Sequence, residues 1–127
     1  MKANSLAGDK DYRVQNLLIF ALGDIGDDRA SKPLVKLLLQ SGDFRIRYTA
    51  AYALAKMGAG ISDDEVIEQL DGVLGNQREE GAIRQFIAWA LLQVDEDKIG
   101  IPLLKYLKSN LMGTLKQALF KDSEVKL

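Results

Sequence analysis

Six slots at i, i+3, i+4, i+7, i+8 and i+11 recur three times along the chain. They hold Val14, Leu17, Leu18, Ala21, Leu22 and Ile25, then Ile46, Thr49, Ala50, Ala53, Leu54 and Met57, then Ile83, Phe86, Ile87, Ala90, Leu91 and Val94. Only Thr49 is polar. That spacing is one stripe of an α-helix and predicts helices over 11–25, 43–57 and 80–94. The first two are each followed by a second stripe: Leu34, Leu37 and Leu38 after the first, Leu70, Val73 and Leu74 after the second. Thirty-two residues separate Ala21 from Ala53, thirty-seven separate Ala53 from Ala90, and their total, sixty-nine, also separates Pro33-Leu34 from Pro102-Leu103. Two markers therefore agree on one register. A helical pair of this length cannot bury both faces alone and must stack on its neighbours. The pattern predicts an all-α protein, an α-α superhelix of about three hairpins (11–40, 43–75 and 76–108) in a single domain, 1–127.

The local signals set the ends of these helices. Residues 1–10 are too few for a repeat and read as a loose tail or at most one helical turn. Asp27 and Asp28 place negative charge at the start of the second helix, where Pro33 is tolerated. Ser62 and Glu65 have capping-box spacing, with Ile61 and Val66 as the accompanying staple, and Asn76 with Glu79 marks a further start. Ser109 and Asn110 are read as opening a separate capping helix over 109–120, a lid carrying Leu111, Met112, Leu115, Ala118 and Leu119 on one side; 121–127 is read as frayed. No such cover precedes the first repeat. Its edge, at Ile19 and Phe20, is expected to be sticky, which leaves a monomer or a homodimer through the N-terminal repeat edge.

Composition narrows the chemistry. With 127 residues, the chain is long enough to bury a core without staples. It has no Cys and no His, which removes disulfides, thiolate chemistry, the commonest metal ligand and the usual general base. No nucleophile and base pair, metal-ligand cluster or glycine-rich phosphate loop is visible, so no enzyme activity, metal or cofactor is expected. Seventeen basic against eighteen acidic side chains leave a net charge of −1, which argues against backbone-driven nucleic-acid binding. No apolar run has the length of a membrane span or signal peptide, and a cytoplasmic protein is the default.

The run Asp-x-Arg-Val-x-x-x-x-x-x-Ala-Leu-Gly-x-Ile-Gly-Asp over 11–27, followed by Pro33-Leu34-Val35-Lys36-Leu37-Leu38, resembles the HEAT-like repeats of the phycobilisome lyase type. The resemblance covers most of 11–107 in three copies and implies the stacked-hairpin fold. That family includes bilin lyases, adaptor subunits and uncharacterised proteins, so it implies no single activity. Related di-iron hydroxylases bind metal through His and Glu pairs, which this chain lacks. Related glycosylases need a basic cleft.

Three sets of residues are candidates for function. Phe20, Tyr52 and Trp89 share one slot just outside the core stripe; they either pack between repeats or form an exposed aromatic row that anchors a partner. Arg47 and Arg84 share another, each four residues after an acid, and read as local ion pairs with Asp43 and Glu80 or as a converging anion clamp. The second helices place Lys32 and Lys36, then Glu68 and Asp71, then Lys105 and Lys108 along what is expected to be a concave face, acidic at the centre and basic at both ends. The favoured reading is a non-catalytic interaction module or scaffold that binds a protein or peptide on that face. An accessory or chaperone-like partner of a lyase-type enzyme is the alternative, and nucleic-acid binding a weaker one.

Overall fold

A computed structural model describes residues 2–120, with side chains placed over 12–119. Its six helices are α1 (Lys2–Ile25), α2 (Ser31–Gln40), α3 (Phe44–Met57), α4 (Asp64–Gly75), α5 (Gly81–Leu91) and α6 (Ile101–Phe120); three 3-10 turns follow α1, α3 and α5. There is no strand among the described residues. The all-α stack of helical pairs is as the repeat pattern predicts.

Polar residues at the turns explain where the helices start. Asp43 caps α3 by accepting from the Arg45 N–H at 2.9 Å. Asp63, and not Ser62, caps α4, accepting from the N–H groups of Glu65 at 2.9 Å and Val66 at 3.3 Å. The Val66 N–H first, then Lys32 and the Glu65 N–H, hold the Asp63 carboxyl below its ordinary pKa. Ser62 instead ties repeats together: its N–H and hydroxyl both donate to Asp28, and its carbonyl accepts from Lys98 Nζ at 2.9 Å. Asn76 accepts from the Arg78 N–H in a turn, and α5 opens only at Gly81. At the other end of α3, Gly58 has φ +33° and lies against the Gln93 side chain, so a Cβ there would be strained and crowded.

The first helices of the repeats, α1, α3 and α5, lie side by side, and the second helices, α2, α4 and α6, form the other layer. The tightest pairings between layers cross the repeat boundaries read from sequence. α2 packs on α3 and α4 on α5, whereas α1 barely touches α2. The core stripes of α3 and α5 are thus each covered by the second helix that precedes them. In α3 and α5 the stripe is buried almost throughout, with Leu54, Ile83, Ile87, Ala90 and Leu91 sealed off and Thr49 satisfied by donating to the Arg45 carbonyl at 2.8 Å.

Helix α1 has no predecessor among the described residues, and three expectations change with it. Apart from Leu22, which packs partly against the core, its stripe lies in the open: Leu17 is 70% and Ile25 72% exposed, against 4% for Met57 in the slot of Ile25. The helix meets α3 through Ile19 and Gly23 instead, and at Gly23 a Cβ would lie 2.9 Å from Ala53 Cα. Ile19 is therefore buried and does not belong to a sticky edge. The segment read as a loose tail belongs to α1, which begins at Lys2. At the other end, Ser109 and Asn110 do not start a new helix. α6 runs through them to Phe120, because Asn110 donates its side-chain amide back to the Tyr106 carbonyl at 2.8 Å and turns no corner. The apolar residues of the supposed lid, Leu111, Met112, Leu115 and Leu119, stay exposed. The frayed end read over 121–127 lies outside the described residues.

Candidate interaction surfaces

On the outer side of the first-helix layer, six aromatic rings make one chain of contacts. Phe20 meets Tyr52 edge to face with centroids 5.5 Å apart, Tyr52 meets Phe86 at 5.6 Å, and Phe86 meets Trp89 at 5.6 Å and Tyr48 at 5.1 Å. Phe44 joins at 6.0 Å from Tyr48. Edge-to-face pairs at these distances stabilise the joints between helices. The row read as Phe20, Tyr52 and Trp89 is thus partly packing: Tyr52 and Phe86 are half-covered and carry the contacts across α1, α3 and α5. Phe44, Tyr48 and Trp89 nonetheless each leave 40–49% of their surface exposed. Phe44, Tyr48 and Phe86 were missed from sequence because they occupy different slots; only the packing of one helix on the next aligns them. Lys56 lies 5.8 Å from the Tyr52 ring centroid and is tied to Asp24 of α1.

The charged row on the second helices is only partly available. Lys32 pairs across the repeat boundary with Asp63 at 3.4 Å and Glu65 at 3.9 Å. Lys36 lies in a shallow cleft with Gln15 and Pro33. Glu68 and Asp71 share an open cleft with Asp64 and Asp97, where Lys98 pairs with Asp64 at 3.1 Å. Lys105 lines a separate cleft of about 310 Å³ with Arg84, Tyr106 and Asn110, and Lys108 is exposed.

Asp71 is the strained member. It occupies the slot of Val35, its Oδ1 is buried without a hydrogen-bond partner, and a Cβ on Gly100 would approach its Oδ2 to 2.8 Å. Burial first, and the charge of Glu68 second, raise its pKa above the ordinary value. The folded state therefore holds this proton to higher pH than the unfolded chain, and stability falls as pH rises through the raised value. Asp71→Asn is expected to stabilise the protein at pH 7, by up to about 1 kcal/mol after allowing for solvent access. The gain should vanish as pH falls towards 3.8, and chemical denaturation across that range checks it.

The two arginines do not converge. Arg47 Nε donates to the Leu38 carbonyl at 2.9 Å and Arg84 Nε to the Leu74 carbonyl at 3.0 Å, so each caps the C-terminal turn of the preceding second helix. Arg47 also pairs with the largely buried Glu79 across to the next repeat. Arg84 lies 5.3 Å from the Tyr106 ring centroid. Neither pairs with the acid four residues before it.

Two layers of helices with the same cap, stripe and joint repeated at corresponding slots define an α-helical repeat protein. A family model for HEAT repeats matches residues 3–80, more than half of the chain, and the chain belongs to that family. No protein of curated function matches it significantly. No described helix is long and apolar enough to cross a membrane.

Proposed function

We propose that the chain is a non-catalytic protein-interaction module of the cytoplasm whose partner lies across the aromatic ridge of the first-helix layer. The observation that carries this reading is the ring chain from Phe20 to Trp89, which spans α1, α3 and α5 and leaves Phe44, Tyr48 and Trp89 exposed. Rigid aromatics lose little entropy on contact and are the usual anchors of interfaces. The helical backbone beneath has no free donors or acceptors to offer, so the ridge suits apolar or proline-bearing segments better than an added strand. The charged row is the second reading, favoured by the exposure of Glu68 in the acidic cleft and of Lys36 and Lys105 on the neighbouring second helices. The narrower version, with a lyase-type enzyme as partner, rests on the resemblance of 11–27 and 33–38 alone.

Capture from the native cell separates the two surfaces. Tyr48→Ala with Trp89→Ala is expected to abolish capture of the partner that wild type retains, while Glu68→Lys with Lys105→Glu leaves it intact and both pairs stay folded. The reverse pattern would assign the partner to the charged row.

A further inference from the structure

We infer that copies of this chain associate head to tail, the second-helix layer of one seating on α1 of the next and continuing the stack. Inside the chain the same joint is made twice. The stripe of α3 is covered by α2, and by α1 at Ala53, while the stripe of α5 is covered by α4 and α3. α1 presents the corresponding stripe uncovered, at Val14, Leu17, Leu18 and Ile25.

The opposite edge presents the other half of that joint. Ala55 of α3 is buried, its carbonyl accepting from Gln93 Nε2, just past the end of α5, at 2.9 Å; the same slot in the third copy is Leu92, the residue that follows α5, 47% exposed. Val35 of α2 is buried, and its slot in α6 is Leu104, 57% exposed; in α4 that slot is Asp71, beside Gly100 at the start of α6, so it faces the second helix that follows. Each edge thus carries the surface that, elsewhere in the chain, buries the other.

Two details favour a second copy as the occupant. Arg47 and Arg84 show that the start of a first helix lies beside the end of the preceding second helix. By register α1 starts well before the slot at which α3 starts, and α6 runs well past the slot at which α2 ends. The two overhangs therefore project from the same end of the stack and would lie along one another, with Leu111, Leu115 and Leu119 available to the junction. In addition, α1 carries Gln15 in the arginine slot. An arginine there caps a helix that ends, and α6 does not end at that slot. A heterologous contact of this kind generates rings or open fibres rather than a two-fold dimer.

Sedimentation velocity at rising concentration tests it. Wild type is expected to grow past the mass of a dimer. Leu17→Glu with Leu18→Glu blocks one edge and Leu92→Glu with Leu104→Glu the other, all at exposed positions, so circular dichroism should report unchanged helicity. Each variant alone should be monomeric, and an equimolar mixture should form a 1:1 pair through the two intact edges. The idea fails if wild type stays monomeric at its solubility limit, if either variant still associates with itself, or if the mixture does not pair. A variant blocked at Leu92 and Leu104 that still dimerises would point instead to a symmetric contact between two α1 helices.

Discussion

Leu54→Ala is expected to lower the stability of the protein by about 2–5 kcal/mol, through lost burial and the cavity left behind. Leu54 is fully buried in the last turn of the central helix, which has neighbours on both sides and α2 over it, so the site has little freedom to collapse. For a domain of this size that corresponds to a fall in Tm on the order of 10 °C. Leu17→Ala, made in the equivalent stripe of α1 where the side chain is exposed, should change the melt of the monomer by less than about 0.5 kcal/mol. Thermal melts of the two variants at low concentration check the contrast. Equal losses would mean that α1 is covered by a helix in solution, at a concentration where the chain is monomeric.

Arg47→Ala is expected to cost about 3 kcal/mol or more, because it leaves Glu79 largely buried without its charge partner and takes the cap from the Leu38 carbonyl. Arg47→Ala combined with Glu79→Gln removes the stranded charge and should recover part of the loss. Urea unfolding of the single and double variants measures the coupling. A single variant within about 0.5 kcal/mol of wild type would show that the pair contributes nothing net, as exposed pairs often do not.

What could be read from the sequence follows the range of each signal. The stripes located the first helices, and for α3 and α5 every side chain they named is buried except Phe86, which is half-covered. The stripe of α1 is equally apolar, but periodicity records which side of a helix is apolar and not whether a neighbour covers it. Val14 and Leu17 are thus exposed, while Ile19, off the stripe, is buried. The arginine slot was legible as a repeat feature, yet its acceptors are carbonyls of the preceding helix, and no i,i+4 rule reaches them. Asp63 took the cap from Ser62 because Asp28, thirty-four residues earlier, holds the serine. Of the aromatic slot, Phe20 and Tyr52 meet directly and Trp89 is reached through Phe86, whereas Tyr48 and Phe86 join the row only once α3 and α5 are laid side by side.

The pairing of α2 with α3 has a kinetic consequence. The two helices are joined by three residues, 41–43, and the Ser41 hydroxyl accepts from the Asp43 N–H at 3.1 Å to hold the corner. Their contacts are close in sequence, so little loop entropy opposes them, and a chain built from such local joints belongs to the fast-folding class of low contact order. The hairpin is also central, flanked by α1 on one side and by α4 and α5 on the other, so structure formed there can spread in both directions. α1 and α6 are expected to join last. Each is held from one side, which makes the two ends the regions of lowest opening free energy.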